Sequence, residues 1–311
     1  MLWEDKDAKD TPIEVTAIPM AVPIDDTWKL TFDEEFNGDT LDTTKWVSNW
    51  FGSPGQVTKP CNSNETAAYN PANVSVSGGC LRIKATAQNS TVAGKTYPDT
   101  SGIINSYQAY WQTFGYFEAK MNLVGQTGAI ANWPAFWLDG ENWPADGEID
   151  VMEGLNGKAA FHLHNSAGSQ GGAAAGDFTG WHTYGVLWVP GKLEFYYDRN
   201  LVGTITNGVT TKPMYIIVNH AVGTYGGPRV LPCEMAVEYV RAWSNDPAAI
   251  AVPPQPGYTP PWDTTTPPPG GSTPPDIDAR LTALEADVAA LKTHVTALDA
   301  RLDKIAAGAT G

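Results

Sequence analysis

The chain has 311 residues, 42% of them hydrophobic and 17% charged, which is enough apolar material for a core in one or two domains and excludes disorder throughout. Its formal net charge of -15, from 34 acidic and 19 basic residues, argues against a nucleic-acid partner and favours a neutral one. No run of about 18 apolar residues offers a membrane span, and the opening MLWEDKDAKD is polar and acidic where a secretory signal needs a basic end and an apolar stretch.

Residues 1–25 carry little periodicity and several prolines (Pro12, Pro19, Pro23), which reads as an N-terminal arm or docking segment. From residue 26 to residue 245 short alternating apolar and polar runs are broken by Gly, Asn, Asp and Pro, the pattern of many strands joined by tight turns. VSVSGGCLRIKA from Val74, GYFEAKMNL from Gly115, HTYGVLWV from His182 and MAVEYVRAW from Met235 are examples. The predicted fold is all-β, an antiparallel β-sandwich. Cys61, Cys80 and Cys233 have no metal-ligand spacing. Cys61 and Cys80 either pair in an oxidising environment or are small buried thiols, with Cys233 spare.

Eleven of the 24 prolines fall between Pro247 and Pro275, so residues 246–275 read as a Pro-rich linker in extended polyproline conformation. Beyond it, Ile277, Leu281, Leu284, Val288, Leu291, Val295, Leu298, Leu302 and Ile305 alternate spacings of four and three. That is a heptad seam, so residues 276–311 are expected to form a coiled coil joining copies of the chain into a homo-oligomer, dimer or trimer. The flanking pairs Arg280 with Glu285, Asp287 with Lys292 and His294 with Asp299 are complementary or neutral in charge. The competing reading is a single amphipathic helix packed on the sandwich.

The most informative stretch is WPADGEIDVMEGLNG, residues 143–157, where Glu148, Asp150 and Glu153 fall within six positions. On a strand Glu148 and Asp150 share a face, but plain alternation sends Glu153 to the other. One extra residue in a bulge near Val151 and Met152 restores it. Three carboxylates on one face repel one another, which a sequence selected for stability alone avoids. Close carboxylates can hold one acid protonated and its neighbour ionised, as glycoside hydrolysis requires. By residue type alone, a calcium site or a solvated acidic turn stays open.

GEIDVME resembles the catalytic motif of glycoside hydrolase family 16, the laminarinase and lichenase group. The likeness extends in order through WKLTFDEEFNGDTLDTTKW, NVSVSGGCLRIKA, SGIINS, FGYFEAKMNL, NWPAFWLDG, WHTYGVLWVPGKLEFYYD, MYIIVNHAVG and VEYVRAW, from Trp28 to Trp243. It implies a jelly-roll, concanavalin-like sandwich, Glu148 as nucleophile, Glu153 as acid/base, and Asp150 tuning both. The two residues between Asp150 and Glu153 resemble the laminarinase side of the family. Trp133 and Trp137 share one strand face and, by the resemblance, sit in the substrate cleft; Trp143 either joins them or packs the loop. His162 and His164 also share a face, His164 resembling the family histidine near the nucleophile's sugar site; no third ligand for zinc is evident.

Two features depart from the family pattern. Ile103 stands where many glucanases carry an Arg, leaving substrate identity open. Glu35 and Glu238 fall near positions that in some members hold a structural calcium, a match too loose to assign a metal, and no cofactor is required for the reaction.

The implied activity is endo-hydrolysis of a β-linked polysaccharide, first a β-1,3-glucan, then a galactan or capsule polymer, by double displacement. A non-catalytic glycan-binding protein and a transglycosylase of the same fold are the alternatives. The arm, linker and coiled coil resemble the layout of bacteriophage tail proteins, so a virion tail enzyme or a secreted bacterial enzyme is expected to act outside the cell.

Overall fold

The computed structural model describes residues 22–263 together with two short strands, Glu14–Val15 and Ile18–Pro19. The heptad segment 276–311 and the end of the Pro-rich stretch lie outside the described residues. The described chain is an antiparallel β-sandwich, as the alternation predicts. One sheet has seven strands in the order Glu14–Val15, Gly168–Ala174, Lys158–Asn165, Glu148–Leu155, Trp133–Gly140, Met214–Ala221 and Ile103–Asn105. The other has nine, centred on Gly180–Val189, Gly115–Leu123 and Cys233–Ser244. Among the described residues no helix is long and apolar enough to cross a membrane.

Alternation divides each strand between two environments. Phe136, Leu138, Ile149, Val151, Met152, Leu163, Ile216 and Val218 of the seven-stranded sheet meet Phe117, Tyr184, Val186, Trp188, Phe195 and Val237 of the other in one continuous core. The opposite face of the seven-stranded sheet carries Ala135, Trp137, Tyr215 and Ile217, which pack with Trp50, Cys61 and Tyr69 into a second cluster outside the sandwich. That second layer is the wall of the cleft described below.

The C-terminal side of the sandwich departs from the sequence-based boundary. Residues 246–263, assigned by composition to the linker, run along the nine-stranded sheet. Val252, Tyr258 and Trp262 pack on a cluster of Val22, Ile24, Leu30, Tyr116 and Trp243. The carbonyls of this segment accept from Lys29 (to Pro247 at 2.6 Å and Ala249 at 2.9 Å), Asn37 (to Pro256 at 2.7 Å) and Arg241 (to Thr259 at 2.8 Å). Proline lacks an N–H but keeps its carbonyl, so a proline-rich strap can be held through acceptors and its aromatic residues. The domain boundary therefore falls after 263 rather than at 246. The arm also joins the sheets, Glu14–Val15 pairing in parallel with Ala173–Ala174 and Ile18–Pro19 with Asn200–Leu201.

The three cysteines are buried, free thiols. Cys61 belongs to the cluster on the open face of the seven-stranded sheet, whereas Cys80 begins a strand of the nine-stranded sheet, so the fold separates the pair that an oxidising environment would join. Glu35, buried, receives Arg241 through Nε at 2.6 Å and Nη2 at 2.9 Å, and Glu238 pairs with Lys120. Both carboxylates considered for calcium are thus neutralised by cations of the chain itself, and this arrangement does not fit a shared metal site.

Candidate active site

The bulge inferred from GEIDVME is present. Pairing with Lys158–Asn165 runs Glu148 to His164 and Asp150 to His162, then slips so that Glu153 meets Ala160. Val151 and Met152 both enter the core, leaving Glu148, Asp150 and Glu153 on the open face. The bulge is anchored from the far sheet: the buried Tyr197 hydroxyl lies 2.9 Å from the Val151 carbonyl and 2.8 Å from that of Ala160. A carbonyl freed from the ladder would otherwise be buried without a donor, at a cost of about 1–3 kcal/mol.

Each carboxylate has its own neighbours. Glu153 Oε1 accepts from Trp133 Nε1 at 2.7 Å, and its Oε2 lies 3.6 Å from His162 Nδ1. His164 Nε2 lies 3.1 Å from Asp150 Oδ2 and 3.9 Å from Glu148 Oε1. Room for His162 comes from Gly171 on the adjacent strand, where a Cβ would stand 2.3 Å from the imidazole Cδ2 and 2.1 Å from the Phe161 carbonyl. Glu148 is pushed well above the ordinary carboxylate range, first by burial and then by the charge of Asp150, with His164 opposing.

The cleft over these groups is lined by Trp133, Trp137, Trp143, Glu148, Asp150, Glu153 and His164, so most of the residues singled out in the sequence converge. His162 is the exception: it lies beside Glu153 and is not part of the lining. The fold also supplies the missing third partner beside the two histidines, because Asp150, His162 and His164 bring potential ligand atoms within 4.8 Å of one another. Those atoms could hold a metal ion, yet His164 and Asp150 already pair directly.

Sequence reasoning missed several lining residues: Cys61, Asn62, Glu65, Ala135, Asn219 and Ala221. Glu65 is the most consequential. Its Oε1 accepts from the Asn62 backbone at 3.0 Å and its Oε2 from the Tyr69 hydroxyl at 2.6 Å. Asn219 Nδ2 donates to that hydroxyl at 2.9 Å, and Asn219 Oδ1 accepts from Trp137 Nε1 at 2.8 Å. A chain of buried polar groups thus runs from a loop carboxyl to the indole in the cleft. Burial raises Glu65 to about 7, Tyr69 and two backbone N–H groups pulling the other way. Glu65 sits in the irregular loop CNSNE, where no periodicity marks it; Asn219 could have been found from the alternation of MYIIVNHA, which puts it on the same face as Tyr215 and Ile217. Ile103, where an Arg was expected, is fully buried in the aromatic cluster with Trp50, Tyr69, Trp137 and Tyr215.

Residues 55–180 match the family model described as XgeA-like, catalytic GH16 domain. The chain is 37% identical over 201 residues to the endo-1,3-1,4-beta-glycanase EglC of Rhizobium meliloti, covering 58% of this chain and 41% of EglC. It is 32% identical over 249 residues to ExsH, an endo-1,3-1,4-beta-glycanase of the same organism, covering 70% of this chain and 52% of ExsH. It therefore spans about half the length of these curated relatives. Among solved structures, the endo-beta-1,3-glucanase of Pyrococcus furiosus superposes with a TM-score of 0.61 at 27% identity, covering 73% of this chain and 98% of that one. The laminarinase catalytic domain of Thermotoga petrophila does so with a TM-score of 0.61 at 26% identity, covering 70% and 98%. The sandwich is thus similar, through residues 55–180 and its bulged acidic strand, to catalytic domains of glycoside hydrolase family 16.

Proposed function

We propose that the sandwich is a retaining endo-glycosidase that cleaves a β-linked glucan by double displacement. The observation that carries this reading is the placement of Glu148, Asp150 and Glu153 on one face of a bulged strand at the floor of a tryptophan-lined cleft. Glu148 attacks the anomeric carbon and forms the glycosyl-enzyme bond while Glu153 gives its proton to the departing glycosidic oxygen. Water then enters, Glu153 takes its proton, and the Glu148 ester is broken with retention. Trp133 fixes the orientation of Glu153 through its indole N–H. Burial, and then the charge of Asp150, itself held by His164, favour a proton on Glu148, so the attacking form requires that proton to leave. Trp137, fixed by Asn219, and Trp143 present ring surface to the sugar C–H faces.

A β-1,3-glucan is the substrate we favour, in line with the endo-β-1,3-glucanases that the fold resembles, with mixed β-1,3-1,4 linkages, as for the two Rhizobium relatives, next. The apolar environment of Ile103 removes a charged contact from the cleft wall, so recognition there relies on aromatic surface. The same proposal includes an extracellular place of action and an oligomeric stalk formed by residues 276–311, on the evidence of the heptad spacing and the proline-rich segment before it. Solution mass with and without residues 276–311 tests the stalk: a monomer in both forms contradicts it.

The test of the chemistry is Glu148→Ala with azide as an external nucleophile. Azide should restore cleavage of an activated β-glucoside and give the α-glycosyl azide, because the vacated face is the one Glu148 occupies. Normal hydrolysis by the variant without azide would refute the assignment.

A further inference from the structure

Among the described residues Phe51 combines two uncommon features. The residue is 56% exposed, and its backbone is left-handed at φ 55, a region in which a bulky residue is strained. It is also not isolated. Its ring centroid lies 4.6 Å from Trp50 and 5.1 Å from Tyr107; Tyr107 lies 5.2 Å from Trp111, and Tyr215 supports Tyr107 at 5.2 Å and Trp111 at 4.8 Å. Phe51, Tyr107 and Trp111 form the outer layer of this cluster, over buried Trp50 and Tyr215.

The cluster is continuous with the cleft. Trp50 stands 5.8 Å from Trp137, which lines the cavity. Across the sheet, Glu148 pairs with Asp139 and Asp139 with Tyr215, so Tyr215 lies two strands from Glu148 in the same row. Two strand spacings are roughly 10 Å, beyond the sugar that Glu148 would attack. We infer that Phe51, Tyr107 and Trp111 form a distal sugar subsite that holds the same glucan chain as it leaves the cleft past Glu148. This rests on the glucanase reading above.

The chemistry of the shelf fits a neutral sugar. Ring faces suit the apolar C–H surface of a pyranose. The polar groups around them are fixed: Trp111 Nε1 donates to the Tyr107 carbonyl at 2.6 Å, and the Tyr107 hydroxyl donates to Glu141 at 2.9 Å. Glu141 is an exposed acceptor for sugar hydroxyls and would repel a carboxylated or sulfated chain. A purely supporting cluster has no need of an outward-facing Phe51 held in a strained backbone.

The experiment compares wild type with Phe51→Ala and Trp111→Ala on short and long β-1,3-glucan oligosaccharides. Each variant should keep kcat/KM on the short substrates and lose roughly tenfold on the long ones, through KM, the loss expected for one stacking contact. Equal losses on both, or none on the long substrates, overturn the proposal. A second measurement is independent of turnover: Glu148→Gln protein binding soluble β-1,3-glucan and mixed-linkage β-1,3-1,4-glucan, with and without Phe51→Ala. If wild type cleaves no glucan but Glu148→Gln retains one through Phe51, the catalytic reading fails and the subsite stands. If wild type cleaves and neither length nor binding responds to Phe51, the subsite fails alone. A Phe51-dependent dimer in place of glycan retention identifies the patch as a self-contact and also overturns it.

Discussion

Two acidic clusters lie on opposite sides of this sandwich and are handled in opposite ways. Under the C-terminal strap, Asp33 and Glu35 surround Arg241, whose guanidinium lies 3.6 Å from the Tyr239 ring centroid and 4.8 Å from that of Tyr258. In the cleft, Glu148, Asp150 and Glu153 share one strand face, with His162 and His164 beside them and the Trp133 indole on Glu153. In the first cluster one guanidinium serves two carboxylates, and it ties a proline-rich strap to the sheet; burial still raises Glu35 to about 7 against the pull of Arg241. The second leaves like charges close together, with burial raising Glu148, which is an arrangement useful for proton and nucleophile chemistry and unfavourable for folding. The same residue types therefore serve stability on one side and reactivity on the other.

The contrast can be broken by exchanging one residue in each cluster. Glu148→Gln should lower kcat by about a thousandfold or more while melting at the same temperature as wild type or above it. The sign follows from the raised pKa: above the ordinary value near 4.5, a carboxyl that prefers its proton in the folded state costs stability, and Gln removes that cost. Arg241→Met should do the reverse, losing about 3–5 kcal/mol by leaving Glu35 and Asp33 buried without their cation. Its surviving folded fraction should turn over normally, measured as activity per folded molecule against denaturant. Comparable stability losses in both variants would erase the distinction.

Smaller effects sharpen it. Tyr197→Phe removes the donor that reaches the Val151 and Ala160 carbonyls, so it should cost about 1–3 kcal/mol and lower kcat by letting the bulge relax. Smaller still is a pH effect from the other raised carboxyls besides Glu148: Glu35, Glu65 and Asp139 are each pushed up to about 7, chiefly by burial. Between about pH 4.5 and 7 the unfolded chain ionises them while the fold keeps their protons, so melting temperature should fall as pH rises through that window. Glu65→Gln should flatten the fall, read by thermal melts at a series of pH values. An unchanged slope would remove Glu65 as a source.

The acidic strand was legible because its spacing breaks a two-residue period by one residue, and a bulge is the simplest repair. Alternation put Trp133 with Trp137 and His162 with His164 on shared faces, and the family resemblance, not alternation, pointed Trp133, Trp137 and His164 to the site. What was not legible arrives from loops. Glu65 reaches the cleft through an isolated bridge to Gly223, and no pattern in CNSNE signals it. The strap misled for a different reason: composition reports that prolines cannot complete a ladder, and says nothing of the carbonyls that Lys29, Asn37 and Arg241 bind or of the sites that Tyr258 and Trp262 fill.

The central claim is that Glu148 and Glu153 act in sequence on one anomeric carbon. Its most direct test is the configuration of the first product, followed by proton NMR of the anomeric signal during cleavage of a β-1,3-glucan oligosaccharide. Double displacement predicts that the β-anomer appears first and mutarotates to the equilibrium mixture afterwards. Initial release of the α-anomer would mean a single displacement by water and would contradict the account.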